Sequence, residues 1–123
     1  MKKTLVLLIG CLAIGNSAIA YETAAQKAAK KKLDRYNQTG TFENCINYKN
    51  IKKSVVIDNN RILFELRGNK TVLNTMDNRC ESLEFERQFN YAVRNSKLCA
   101  KDVIYARRDT CMLSQFEVLE KKS

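Results

Sequence analysis

The sequence predicts a mainly β protein, in which about six or seven short antiparallel strands form a small meander barrel or sandwich stapled by two disulfides. From Thr41 onward, short runs rich in Val, Ile, Phe, Tyr and Thr alternate with turn residues such as Gly68 and Asn69, which is typical of strands. Four cysteines also follow an export signal, and small exported chains use cysteines as disulfides. These two observations predict the fold class.

Residues 1–20 are predicted to be a secretory signal peptide. A basic start at residues 1–3 precedes an apolar run over residues 5–14, and Ala18 and Ala20 stand at the two positions that signal peptidase reads. The run is too short to cross a bilayer, which takes about 20 apolar residues, so we expect no transmembrane span. The predicted location is the periplasm or the extracellular medium.

A lipobox is the alternative interpretation of the same segment. Leu8, Ile9, Gly10 and Cys11 match the pattern in which a cysteine becomes a lipidated N-terminus. In that case the protein would be lipid-anchored through Cys11. Both alternatives place the domain outside the cytoplasm, where cysteines oxidise.

Residues 21–40 are predicted to form a short basic helix, rich in Ala and Lys, followed by a linker. Thr23 and Gln26 have the spacing of a capping box. Asn37 and Gly40 belong to a stretch that indicates a helix stop and a linker. Small and apolar side chains recur at helical intervals along one side of the helix and predict its docking face, at Ala25, Ala29, Leu33 and Tyr36.

Residues 41–123 are predicted to be the disulfide-bonded β domain. Ile62, Phe64 and Leu66 alternate along one strand, which indicates that one face of it is buried. The region 77–87 shows no alternation and is predicted to be a loop or a single helical turn. The predicted strands cover residues 42–46, 54–57, 61–67, 70–74, 89–94, 103–107 and 112–119.

Two disulfides are expected among Cys45, Cys80, Cys99 and Cys111. Four cysteines allow three connectivities, and their spacing alone does not choose between them. The preferred pairing joins Cys45 to Cys111 and Cys80 to Cys99, because it ties the first strand to the last and closes a short inner loop. No metal site is expected, since the chain has no histidine and no Cys-x-x-Cys pair.

The cysteines and the residues around them resemble a family of short exported bacterial proteins that carries only a domain-of-unknown-function label. The resemblance covers about residues 42–119, and its most specific part is Leu98-Cys99 followed by Asp102. It implies export and a stapled β domain, and it implies no catalytic residues. The other matching residues are Cys45-Ile46, Val56-Ile57-Asp58, Ile62-Leu63-Phe64-Glu65, Leu73-Asn74-Thr75, Arg79-Cys80, Leu83, Phe89, Tyr91, Ile104, Cys111, Leu113 and Phe116.

We predict neither catalytic residues nor a cofactor, so the chain is not expected to be an enzyme. Without histidine, a serine or cysteine nucleophile lacks its usual base. Asp102 is predicted to be structural and to accept backbone N–H bonds in its turn. Several neighbouring carboxylates are typical of a solvated face with surface ion pairs, namely Glu81, Glu84 and Glu86 beside Arg79 and Arg87.

The charge of the chain is its remaining functional signal. The formal charge of +9 falls to +7 when the two lysines of the signal are removed, and such an excess favours anionic partners. Export makes nucleic acid an unexpected partner, which leaves an anionic envelope polymer or a protein. The predicted polyanion contacts are Lys30, Lys31, Lys32, Arg107 and Arg108.

Two functions agree with these features. The first is a non-enzymatic domain of the periplasm or envelope, with a binding or structural role. The alternative is a proteinaceous inhibitor of a periplasmic or extracellular hydrolase, because a small stapled domain presents rigid loops at low entropic cost.

Overall fold

The computed structural model describes residues 22–93 and 95–123. The predicted signal peptide lies outside the described residues, and so do Cys11 with its lipobox and Arg94. The described part therefore contains the basic helix and all of the β domain except one residue.

Helix α1 spans Ala24–Leu33 and begins with the predicted capping box. The hydroxyl of Thr23 accepts a hydrogen bond from the Gln26 amide at 3.1 Å, and the Gln26 side chain accepts one from the Thr23 amide at 2.8 Å. These bonds satisfy donors that the first turn leaves without helical partners. Ala29 is buried and Leu33 packs beside it, so the predicted stripe is the docking face, whereas Ala25 is exposed.

Five antiparallel strands form the main sheet. They are β1 (Tyr36–Glu43), β3 (Ile51–Val56), β4 (Arg61–Leu66), β5 (Lys70–Thr75) and β10 (Phe116–Lys121). Their spatial order is β1-β10-β5-β4-β3, so β1 and β3 are the outer strands. The turn between β4 and β5 uses the predicted turn residues Gly68 and Asn69, at φ +82° and +58°.

Two smaller sheets and two short helical segments complete the fold. Strand β2 (Cys45–Asn47) pairs with β7 (Lys97–Cys99), and β6 (Asn90–Tyr91), β8 (Val103–Ala106) and β9 (Asp109–Met112) pair in the order β6-β8-β9. A 3-10 turn covers Tyr48–Asn50, and helix α2 covers Leu83–Glu86.

The main sheet lies between two apolar clusters. On one face α1 packs on the smaller cluster, which contains Ala29, Ile57, Leu63, Leu73 and Leu119. On the opposite face a larger cluster, centred on Phe64 and Phe116, joins the main sheet to α2 and the smaller sheets. The chain is thus mainly β and antiparallel, which confirms the predicted fold class. Its sheets are layered as in a sandwich, with open edges at β1 and β3.

Strand β1 runs through residues 37–40, where the sequence predicts a linker. Tyr36 already pairs with β10, so the sheet begins before Thr41. Gly40, at φ +76°, forms a bulge in which its N–H donates to the buried Glu117 carboxylate at 2.9 Å. Asn37, Gln38 and Gly40 give a weak local signal for a strand, and pairing with β10 overrides it.

Other strand boundaries also differ from the prediction. The predicted strand 112–119 is broken, because the Asn74 side chain bonds both the N–H of Ser114, at 3.0 Å, and its C=O, at 2.7 Å. These backbone groups therefore take part in no strand ladder, and Ser114 separates β9 from β10. In the predicted strand 89–94, the described residues contain only the two-residue β6, and β7 has no counterpart in the prediction.

Two disulfides are present, but the preferred pairing was wrong. Cys45 is bonded to Cys99 and Cys80 to Cys111. Cys45 and Cys99 are directly opposed on β2 and β7, whereas β9, which carries Cys111, pairs with β8. The prediction lacked β7, so it could not place Cys99 beside Cys45.

Candidate functional site

Asp102 has the structural role that the sequence predicts. Its carboxylate accepts a hydrogen bond from the Cys99 amide at 2.7 Å, and its own amide donates to the Cys99 carbonyl at 3.1 Å. The Asp102 carbonyl then accepts from the Leu113 amide at 2.9 Å. Asp102 therefore fixes the turn between β7 and β8 against the chain that follows β9.

The five predicted polyanion contacts do not form one surface, and three of them already have carboxylate partners. The distances are 2.9 Å from Lys30 to Glu22, 2.5 Å from Lys32 to Glu65 and 2.9 Å from Arg107 to Glu86. The hydrogen bond and the charge of Glu22 also raise the pKa of Lys30. Lys31 and Arg108 are exposed and form no ion pair with the described residues.

Lys32 also lines a groove between helix α1 and the outer strand β3, which we call the α1–β3 groove. Its volume is about 330 Å³. One wall consists of alanines of α1, and the other is the strand from Lys53 to Val56. The residues that define it are Ala25, Ala28, Ala29, Lys32, Lys53, Ser54, Val55, Val56 and Arg87. Three cationic side chains therefore meet at one concave surface.

Arg87 enters this groove from an unusual backbone conformation. It is the residue that ends α2, at φ +58°, a left-handed conformation that glycine adopts at lower cost than arginine. Its guanidinium donates to the carbonyls of Val56 and, at 3.4 Å, of Glu84. Within the described residues no carboxylate lies within ion-pair distance of it, so its positive charge is held in place without being neutralised.

The outer edge of β3 is the second feature of the groove. The backbone bond from the Ile57 amide to the Arg61 carbonyl, at 2.9 Å, fixes the phase in which β3 pairs with β4. Because antiparallel strands alternate, Lys53 and Val55 bond inward to β4, whereas Ser54 and Val56 direct their backbone groups outward. The bond from Arg87 to the Val56 carbonyl agrees with this phase.

A second concave region, the Phe42 cleft, is larger and less charged. It has a volume of about 440 Å³ and lies between β1, β5 and the segment from β9 to β10. Phe42 and Met112 are more than half exposed at its sides, with Leu73 and Leu113 beneath. Asp77 and Lys101 give it one charge of each sign. The cleft therefore offers apolar contact without a preference for the charge of a ligand.

The polar residues around α2 stabilise a loop. The Ser82 hydroxyl lies 2.6 Å from the Asp109 carboxylate and 2.7 Å from the Ala106 carbonyl, and the Ser82 amide donates to Asp109 at 2.7 Å. The bonds from Ser82 lower the pKa of Asp109. Glu81 lies 3.7 Å from Arg79, and Glu86 pairs with Arg107 instead of Arg87. Within the described residues, no three Cys, Asp or Glu side chains cluster as metal ligands would.

Lys53, Ser54 and Arg87 were not predicted as site residues. A lysine pair followed by a strand was visible at Lys52 and Lys53, and lysines are common on edge strands. No local signal marks Arg87, because its contact with Val56 joins residues 31 positions apart.

Comparisons with known proteins do not assign the chain to a group. No family model, no curated protein and no solved structure matches it. Among the residues that the structure describes, no helix has the length and apolar character that crossing a membrane requires.

Proposed function

We propose that this chain is an exported, non-enzymatic binding domain whose α1–β3 groove takes an anionic partner. The observation that carries the proposal is the Arg87 guanidinium, which is fixed by backbone carbonyls and lacks a carboxylate partner among the described residues. Lys53 adds an exposed charge beside it.

Export is part of the same proposal. Two disulfides suit an oxidising compartment, and the N-terminal residues have the pattern of a signal peptide. Anionic polymers of the envelope and acidic proteins are the partners that a basic exported domain would meet. Membership of the family with the domain-of-unknown-function label stays a prediction.

A charge reversal in the groove tests the proposal. We expect the wild-type chain to bind polyglutamate and polyphosphate, and Lys53→Glu to weaken both affinities by about tenfold, since an attraction becomes a repulsion at the site. Arg87→Gly should weaken them similarly while relieving the backbone conformation. Affinities would be measured by titration calorimetry at low and at physiological ionic strength.

Arg108→Glu is the matched control for this experiment. It changes the net charge of the chain by the same amount, but Arg108 is an exposed residue outside the groove. We expect Arg108→Glu to change the affinities for polyglutamate and polyphosphate by less than about twofold. Equal losses in Lys53→Glu and Arg108→Glu would mean that the anions respond to net charge alone, and the groove would not be the site.

Phe85 supports the hydrolase inhibitor as a second candidate function. Its side chain is 81% exposed, although it lies on α2, between Cys80 and the three-stranded sheet that carries Cys111. An aromatic side chain on a stapled loop is a common anchor at protein interfaces. A hydrogen bond from the Ser82 amide to the Asp109 carboxylate fixes the backbone at the start of α2.

An inhibitor would act at equimolar concentration. In this case the purified domain should abolish one hydrolase activity of a periplasmic extract. Phe85→Ala should raise the concentration of domain needed for inhibition by at least about a hundredfold. Phe42→Ala, which removes another exposed phenylalanine, is the control. If no activity falls, the inhibitor function is excluded. If Phe85→Ala inhibits as well as the wild type, Phe85 is not the anchor, and the observation that favours this candidate is lost.

A further inference from the structure

We infer that the partner of the α1–β3 groove is an extended acidic segment of another polypeptide, which adds to β3 as a sixth strand of the main sheet. The inference rests on the proposed function and narrows it from an anion to a peptide strand. It depends on three features of the groove: an open backbone edge, a wall of small side chains and a set of fixed charges.

The backbone edge is open at Ser54. The N–H and C=O of Ser54 point away from β4, Ser54 is exposed, and among the described residues neither group has a hydrogen-bond partner. An antiparallel strand placed beside β3 would form two bonds with Ser54. The open edge ends at Val56, which is 2% exposed and whose carbonyl is bonded to Arg87.

The wall of the groove leaves space for the side chains of such a strand. Lys53 lies opposite Glu65 in the register of β3 and β4, and Glu65 contacts Lys32 of α1, so Lys53 is on the α1 face of the sheet. Ala25 and Ala28 form the facing surface of the helix. Longer residues at these two positions would fill the groove that the alanines leave beside β3.

The charges select the occupant. Lys52 and Lys53 would repel the same strand of a second copy, which is how edge lysines prevent sheets from joining. The same lysines, together with Arg87, attract an acidic strand. Each outer strand has one irregularity, at Gly40 in β1 and between Ile51 and Lys53 in β3, and β3 pairs regularly from Lys53 to Val56.

This geometry fixes which residues of the bound strand are acidic. Residues that lie directly opposite each other point to the same face of a sheet. Acidic residues opposite Lys53 and Val55 would point toward α1, and their own N–H groups would point away from β3. The residue between them would lie opposite Ser54 and direct its N–H and C=O to Ser54. Charge and backbone bonding therefore come from alternate residues of the partner.

An eight-residue peptide of alternating Glu and Thr, blocked at both ends, tests this arrangement. N-methylation of the Thr amides should weaken binding to the wild-type chain by more than about tenfold, because it removes the donors that face β3 and places methyl groups against the strand. N-methylation of the Glu amides should change the affinity by less than about twofold. The affinities would be measured by titration calorimetry on the full mature chain.

Variants of the protein give an independent readout. Ser54→Pro removes an outward N–H at an edge position where proline is tolerated, and it should weaken binding of the Glu-Thr peptide by about tenfold. A peptide of alternating Lys and Thr should not bind. Unfolding of the Ser54→Pro chain would be checked by circular dichroism, and the methylated peptides need no change in the protein.

The outcomes separate this inference from the proposed function. If methylation of the Thr amides and of the Glu amides weakens the affinity equally, the peptide does not add to β3 as a strand. If the affinities for polyglutamate and polyphosphate still fall in Lys53→Glu, the groove remains an anion site. Pairing of two copies of the chain through β3, seen as a dimer by sedimentation that Lys53→Glu strengthens, would also overturn the strand addition. If neither polyanion nor peptide responds to Lys53→Glu, the proposed function fails as well.

Discussion

Replacing Cys80 and Cys111 with alanine should lower the free energy of unfolding by about 5 kcal/mol. The bond joins residues that are 31 positions apart, and closing a loop of this length contributes about 3.5–4 kcal/mol in the chain-entropy model. Both sulfurs also belong to the larger apolar cluster, where Cys80 has no exposed surface. Loss of their packing adds about 1–2 kcal/mol. Small domains have a total stability of about 5–15 kcal/mol, so the variant should be partly unfolded at 37 °C.

The Cys45–Cys99 disulfide is the matched control, because the two mechanisms rank the bridges in opposite orders. Its residues are 54 positions apart, so chain entropy alone makes this bridge the more stabilising by about 0.5 kcal/mol. However, Cys45 and Cys99 are only partly buried, and their replacement by alanine removes little packing.

Urea unfolding of both double variants decides between the mechanisms. We expect Cys80→Ala/Cys111→Ala to be less stable than Cys45→Ala/Cys99→Ala by about 1 kcal/mol. The reverse order would show that burial of the sulfurs contributes little and that loop length controls the stability. Mass spectrometry of unreduced peptides would verify the pairing itself in the wild-type chain.

The parts of the fold that the sequence predicts are those set by neighbours in the chain. The capping box of α1 needs only Thr23 and Gln26, and the turn after β4 needs only Gly68 and Asn69. The alternation from Ile62 to Leu66 similarly places β4 in the sheet. In these cases the side chains that specify the element lie within it, so a single sequence is sufficient.

The parts that the sequence does not predict depend on distant contacts. Strand β1 exists because it pairs with β10, and the break before β10 exists because Asn74 binds Ser114, 40 positions away. The preferred disulfide pairing failed for the same reason, since the observed bond between Cys45 and Cys99 depends on the pairing of β2 with β7, which the sequence did not predict.

The candidate site shows the same limit more strongly. Lys30, Lys31 and Lys32 are adjacent in sequence, yet the helix separates them: two face carboxylates, and only Lys32 contributes to the groove. The residues that join Lys32 there come from β3 and from the end of α2. A charge run in a sequence indicates the sign of a partner, whereas the tertiary fold determines where charges without counter-ions meet.

Phe64→Ala should lower the free energy of unfolding by about 4 kcal/mol. Phe64 has no exposed surface on β4, and its ring packs edge to face on Phe116 and Phe89, with centroids 5.7 and 6.2 Å away. Phe116 belongs to the main sheet and Phe89 to the segment between α2 and β6, so this ring joins two layers of the fold. Alanine would leave a cavity that its neighbours fill only partly, because each is fixed by its own strand or helix.

Phe42→Ala is the matched control for Phe64→Ala, since it makes the same substitution at a ring that is 54% exposed on β1. We expect its stability to change by less than about 0.5 kcal/mol. Phe64→Leu should lower the free energy of unfolding by an intermediate amount, about 1–2 kcal/mol, because leucine keeps most of the side-chain volume but loses the edge-to-face contacts. The measurement is urea unfolding followed by tyrosine fluorescence. If Phe64→Ala and Phe42→Ala lower the free energy of unfolding by similar amounts, the layers are not joined through Phe64.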